Sequence, residues 1–237
     1  GGTNTASRFQ PPSSSAWFGT NELGQDVFSL VLVGSRISLF SGLAVVVIAV
    51  VFGTAVGAIA GYFGGWIDEV LMRITDLLLT IPSLILAMAV AAALGSGVFN
   101  MIIAISITWW PAYARLVRGE VIGKKEEQFV VAAHALGAGS ARILGRHILP
   151  NIVSPIVVKA SLDMGFAILT VASLGFVGIG VKPPTPEWGT LLSGARSYLP
   201  DYWWTAVAPG LAIFLAVLAF NLLGDGLRDV LDPKARR

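Results

Sequence analysis

Few side chains in this 237-residue chain are equipped for chemistry, and their spacing argues against catalysis within it. Cysteine is absent and there are two histidines, His134 and His147. A metal centre wants more ligands close by than these two supply, so both read as packing residues and no metal is expected. The phosphate-cradling pattern G-x-x-x-x-G-K-[ST] is also missing. Gly123-Lys124-Lys125 lacks the upstream glycine at the required spacing and a following Ser or Thr. The remaining candidate is Asp163, one helical turn beyond Lys159 at the entrance of an uncharged stretch. Ionisable groups in such a setting are costly and functional by default. Asp163 therefore qualifies for a translocation pathway or gate. Equally, it fits a plain ion pair with Lys159, or a cap on a neighbouring helix. A single carboxylate is neither a nucleophile–base set nor a pair of acids, so no catalytic residue is assigned.

The elements around these residues are written in the charge distribution. Hydrophobic residues make up 55% of the chain and charged ones 13%, with a mean hydropathy of +0.76, against roughly 25% charged in a soluble domain. Residues 37–67, 77–114, 164–181 and 202–224 contain no Asp, Glu, Lys or Arg. A helix needs about 20 mainly apolar residues to cross a bilayer, and 77–114 is long enough to cross twice. Five spans are predicted, at about 37–61, 77–94, 98–116, 156–181 and 202–224, in an all-α polytopic membrane protein. Gly53 and Gly57 form a small-xxx-small pair in the first, suited to close helix contact, and Gly95-Ser96-Gly97 makes a hairpin turn. Gly224-Asp225-Gly226 is expected to end the last helix.

Five spans divide the loops into two alternating sets. Residues 61–76, 115–159 and 225–237 hold twelve of the sixteen Lys and Arg residues, and the other set holds four. The positive-inside rule makes the twelve-residue side cytoplasmic. Residues 1–33 are then an extracytoplasmic N-terminal segment, 34–224 the transmembrane domain, and 225–237 a cytoplasmic tail. A net charge of +2, concentrated in one loop and the tail, reads as topology and not as a nucleic-acid surface. No charged n-region followed by an apolar run opens the chain, so no signal peptide is expected.

The most informative stretch is the cytoplasmic loop 120–150. Phe129, Ala132, Ala133 and Leu136 fall at i, i+3, i+4 and i+7, an apolar stripe. Glu126 and Glu127 are placed in the first turn of that helix, and Gly137-Ala138-Gly139 breaks it. Ser140 is the expected N-cap of a second helix carrying Ile143, Leu144, His147 and Ile148 on one flank. Arg142 and Arg146 lie one turn apart, and Pro150 is expected to prevent extension. Such a helical knob suits insertion into a partner's groove. An amphipathic linker on the membrane surface would share these features.

The stretch resembles the EAA loop of bacterial ABC importer permeases, in which Glu-Ala-Ala is followed by Gly, Ile and Leu-Pro at fixed spacings. Ala132, Ala133, Gly137, Leu149 and Pro150 match that pattern. Val131 stands in place of the Glu, with Glu127 four positions earlier, and His147 in place of the Ile. Segments 17–26, 34–39, 61–65, 72–76, 183–189, 220–225 and 227–233 are also similar to the family, which points to the second permease of dipeptide, oligopeptide or nickel importers. The resemblance implies a type I importer fold and six spans, the first expected before residue 1.

It further implies partners: a second permease, two ABC ATPase subunits holding ATP and Mg, an extracytoplasmic binding protein and membrane lipid. No cofactor is expected in this chain. The coupling residues are then Glu127, Phe129, Ala132, Ala133, Leu136, Gly137, Arg142, Arg146, Leu149 and Pro150. In the outer segment 182–201, Trp188 and Tyr198 are candidates for docking the binding protein, although the segment would serve as well as a rigid cap. The expected location is a bacterial inner membrane, with the N-terminal segment outside and the C-terminus in the cytoplasm. A secondary transporter or channel would share the spans but would not need the loop, and it would be expected to show inverted repeats.

Overall fold

The computed structural model describes residues 7–231. Within them the chain is helical, with one isolated antiparallel bridge between Thr20 and Asp26. The α-helices are α1 (Val27–Phe63), α2 (Gly65–Thr80), α3 (Ser83–Leu94), α4 (Val98–Lys125), α5 (Gln128–Ala135), α6 (Ser140–Arg142), α7 (Val153–Phe176), α8 (Trp188–Ala195) and α9 (Trp204–Leu231). Among the described residues three runs are long and apolar enough to cross a membrane alone: α1, Ser140–Phe176 and α9. At 1.5 Å per residue a 37-residue helix such as α1 is about 55 Å long.

The five expected spans all fall on helix, but their details differ from the sequence reading. The second is not straight, because α2 and α3 meet at 94°. Pro82 is the cause: the residue before a proline is pushed out of the helical region, and Ile81 is extended at φ −94°, ψ 131°. The third, α4, is long enough, but Asn100, the Trp109–Tyr113 stretch and Arg115 dilute its apolar run. The fourth ends at Phe176 and not at 181. The last helix runs through Gly224 and Gly226 to Leu231, so the tail is not a separate element there; its basic residues Lys234, Arg236 and Arg237 lie outside the described residues. Gly224 is a packing position instead of a terminator, since a Cβ there would lie 2.8 Å from the Leu162 side chain.

The chain divides into two units. The first comprises the residues up to Val45, Ala87–Ile105 and Met164–Asn221. In it Trp204, Val27 and Ala208 form an apolar cluster with Phe18, Val31 and Tyr202. The Trp204 indole donates to the Thr20 carbonyl at 3.2 Å, and Phe9 stacks on Tyr202 at 4.0 Å. Residues 9–20 thus pack against the start of α9.

The second unit comprises Val46–Leu86, Ser106–Asp163 and the residues from Leu222 onward. Here α1 and α4 run in the same direction in close contact. A Cβ at Gly53 would lie 2.6 Å from the Trp110 carbonyl, one at Gly57 would meet the Ala114 backbone, and one at Gly61 would lie 2.8 Å from the Arg118 carbonyl. The small-residue spacing read from the sequence is used for this approach. The helix α2 is tied to α4 by two ion pairs. Asp68 pairs with Arg118 and Asp76 with Arg115, so about 12 Å along α2 answers to about 4.5 Å along α4.

Candidate functional site

The loop between α4 and α7 is built on an apolar cluster. Val130 and Ala133 of α5, with Ile143, Ile148 and Ile152, pack against Ala58 and Tyr62 of α1 and Val117 and Val121 of α4. The inward residues of α5 are therefore Val130 and Ala133. Phe129, Ala132 and Leu136 face outward, Leu136 being 88% exposed. The four-residue stripe of the sequence reading is thus split: Ala133 belongs to the core and the other three to the surface. A helix that packs on one side only has a second apolar flank to offer, and tertiary neighbours decide which flank goes in.

The termini of α5 explain its shape. Leu136 is the C-cap, and Gly137 follows at φ 80°, where L side chains are rarely found. The Gly137 amide donates to the His134 carbonyl at 2.9 Å and the Ala138 amide to the Ala133 carbonyl at 3.0 Å, the paired bonds of a Schellman motif. Gly137 thus ends the helix as expected. Glu127 is the N-cap residue rather than a first-turn residue. Its carboxylate accepts from Lys124 Nζ at 2.6 Å and so holds α5 to the end of α4. The Tyr62 hydroxyl and His134 Nε2 lie 3.4 Å apart, which places His134 in packing against α1.

Ser140 is not an N-cap; Gly139 takes that position and Ser140 opens the helix. Nor does Pro150 stop it, because the helical run continues from Ser140 to Phe176. A proline lacks the amide that would bond the carbonyl four residues back, and its ring collides with that carbonyl. The chain avoids the conflict by widening into a π-helical stretch at Ile143–Ile148, where the Leu149 amide bonds the Leu144 carbonyl. It then tightens into a 3-10 turn at Leu149–Ile152. Such π stretches recur at functional positions in helices. Arg142 and Arg146 are exposed beside it, Leu149 is half-buried and Pro150 is exposed.

Asp163 is partnered. Its Oδ2 accepts from Lys159 Nζ at 2.9 Å and from the Tyr113 hydroxyl at 2.7 Å. The Lys159 pairing is the plainer alternative the sequence left open, whereas Tyr113 had no local signal, standing fifty residues away.

In the segment 182–201 one of the two expected docking residues lies inside the chain. Trp188 is 4% exposed and its indole donates to the Val31 carbonyl at 2.9 Å, so it is turned away from any docking protein. Tyr198 is half-buried, 4.8 Å from Phe9. The sequence reading missed Glu187, which is fully buried. Its Oε1 accepts from Ser38 Oγ at 3.1 Å and from the Gly189 amide at 2.8 Å, and its Oε2 from the Thr190 amide at 2.9 Å and hydroxyl at 3.1 Å. Glu187 caps α8 and ties it to α1. The only signal was Pro186-Glu187-Trp188-Gly189, a helix start without the usual Ser, Thr, Asp or Asn. Among the described residues no group of three or more His, Cys, Asp or Glu could hold a metal ion.

These helices define an all-α polytopic membrane protein with the type I ABC importer transmembrane fold. A chain of the MetNI methionine ABC transporter, solved in inward-facing conformations, superposes with a TM-score of 0.66 at 18% identity, covering 86% of this chain and 97% of that one. A chain of an amino acid ABC transporter crystallised with histidines gives 0.64 at 15% identity, with 85% and 94% covered. Residues 53–237 match the family described as binding-protein-dependent transport system inner membrane component, and the chain belongs to that family of ABC importer permeases. It is 48% identical over 234 residues to the dipeptide transport system permease protein DppC of Alkalihalophilus pseudofirmus, covering 99% of this chain and 77% of the relative. It is 50% identical over 225 residues to the glutathione transport system permease protein GsiD of Pectobacterium atrosepticum (95% and 75% covered). To the probable D,D-dipeptide transport system permease protein DdpC of Escherichia coli it is 49% identical over 228 residues (96% and 76% covered).

Proposed function

We propose that this permease forms part of a pathway carrying short peptides, or a related small solute, into the cytoplasm. Its relatives named for dipeptide and glutathione transport support the substrate class. A second permease completes the pathway, an extracytoplasmic binding protein delivers the solute, and two separate ATPase subunits, which hold the ATP and Mg, drive the cycle. This chain carries no cofactor and no hydrolytic site of its own. The N-terminal segment lies outside and the C-terminus in the cytoplasm, in keeping with the twelve-to-four division of basic residues. The outer segment 182–201, through Tyr198 and its exposed proline turn, faces the binding protein. Asp163 borders the pathway from the α7 side.

One observation carries the coupling role. The 126–150 segment presents apolar side chains outward, Phe129, Val131 and Leu136 at 37, 58 and 88% exposure, on a knob fixed from within by Val130, Ala133, Ile143 and Ile148. A rigid knob with an uncovered apolar face is what a helix-in-groove contact requires, and Arg142 and Arg146 flank it for polar contacts. The test is the complex of both permeases, ATPase subunits and binding protein in proteoliposomes. Replacing Gly137, at φ 80°, by Glu is expected to leave ATP hydrolysis running while peptide uptake falls at least tenfold. Normal uptake in that variant, or uptake by vesicles lacking the ATPase subunits, overturns the proposal and favours a secondary transporter.

A further inference from the structure

The two helices that enter and leave the coupling segment are fastened to each other at two levels. Nearer the cytoplasm the fastening is apolar, with Val117 and Val121 of α4 packed in one cluster with Ile152 and Ile156 of the outgoing helix. Further along both helices it is polar. Tyr113 of α4 is fully buried, its hydroxyl donates to Asp163 of α7, and the Lys159 ammonium bonds the same carboxylate oxygen. That ammonium also lies 5.0 Å from the centre of the Tyr113 ring, over its face, so the three groups close on one another.

Two helices joined at one level can pivot about the joint. Joined at two, they resist splaying and turn as a rigid body, the kind of element that rigid-body domain transitions use. The polar joint suits the task. A hydrogen bond to a carboxylate is roughly twice as strong as one between neutral groups. Parting Tyr113 from Asp163 leaves a buried hydroxyl without its acceptor, and desolvated polar groups are expensive to leave unpaired.

We propose that Tyr113 and Asp163 are positioning residues that make α4 and α7 a single lever. Displacement of the 126–150 knob is then delivered to both helices together and is not lost in spreading them. The inference rests on the coupling role proposed above, and one experiment separates the two. In proteoliposomes holding the whole complex, peptide uptake and ATP hydrolysis are measured together. Tyr113→Phe keeps the ring and deletes only the hydroxyl. It is expected to lower uptake per ATP hydrolysed about tenfold or more, the scale of one charge-assisted hydrogen bond, with the hydrolysis rate within about twofold of the parent. Asp163→Asn retains an oxygen acceptor for Tyr113 and is expected to keep more of the uptake ratio than Asp163→Ala does.

The chain has no cysteine, so spin labels can be placed at Ile122 of α4 and Val153 of α7, both exposed. Their separation is expected to stay narrow through the ATP cycle in the parent and to broaden in Tyr113→Phe. Should Tyr113→Phe fail to assemble, the label distances in Asp163→Asn and Asp163→Ala decide. An unchanged uptake ratio in Tyr113→Phe overturns the lever, as does a lowered ratio with unaltered label distances. Absence of ATP-driven uptake in the parent complex overturns the coupling role instead.

Discussion

The knob of 126–150 and the lip around α8 are both short helices inserted between longer ones, yet one turns apolar side chains out and the other turns them in. On the knob, large apolar groups stand in the open, and the buried set is purely aliphatic: Val130, Ile143, Ile148 and Ile152. On the lip, the aromatic that looked available, Trp188, is buried, and a carboxylate goes in with it. The knob is thus stabilised by non-directional apolar packing, which leaves its outer face free to meet a groove. The lip is fixed by directional bonds from Glu187 to Ser38, Gly189 and Thr190, which set the angle of α8 against α1. Apolar exposure, not aromatic content, is what sets the knob apart from the lip.

Four substitutions probe that contrast, the two at fully buried side chains costing the most in unfolding free energy. Ile148→Ala removes a fully buried side chain from the knob and is expected to cost about 2–5 kcal/mol by the cavity rule. Thermal unfolding in detergent, with hydrogen exchange localised to 126–152, reads this out. Glu187→Ala strips the acceptor from buried donors, each costing about 1–3 kcal/mol when left unpaired; its exchange should rise in 187–195 and not in the knob. Equal loosening of both regions would show that the two are not independently fixed. Trp188→Phe loses one indole hydrogen bond, worth about 1 kcal/mol, and is expected to leave binding-protein docking unchanged, which a pull-down with that protein checks. Leu136→Ser touches a side chain that is 88% exposed and should shift stability by less than about 0.5 kcal/mol, yet it is expected to weaken capture of the ATPase subunits. A stable variant that still captures them normally would remove Leu136 from the docking face.

Where the sequence reading succeeded, the controlling physics was local. Small residues four apart announced a close approach by α1, though not that α4 makes it, because a missing side chain is visible in the sequence itself. Gly137 announced the end of α5 because it supplies the left-handed conformation the C-cap needs. The reading failed where a local rule was overridden. Pro150 should stop a helix, but one widened turn absorbs its missing amide. Gly224 and Gly226 resemble terminators, but α9 runs on because Gly224 is wanted for contact with Leu162. Glu187 went unseen because a buried carboxylate declares itself only through the donors around it, and one of them, Ser38, lies 149 residues away.

Taken alone, the sequence determined that uncharged stretches of span length exist, that twelve of the sixteen basic residues fall in alternate loops between the expected spans, and that the phosphate-loop pattern is missing. These are properties of composition and spacing, and any packing of the helices preserves them. Only the tertiary structure decided which flank of α5 is covered, that Trp188 turns inward, and that Tyr113 reaches Asp163. The reason is physical: which face of a helix is buried depends on non-local neighbours, and a single chain position carries no record of them.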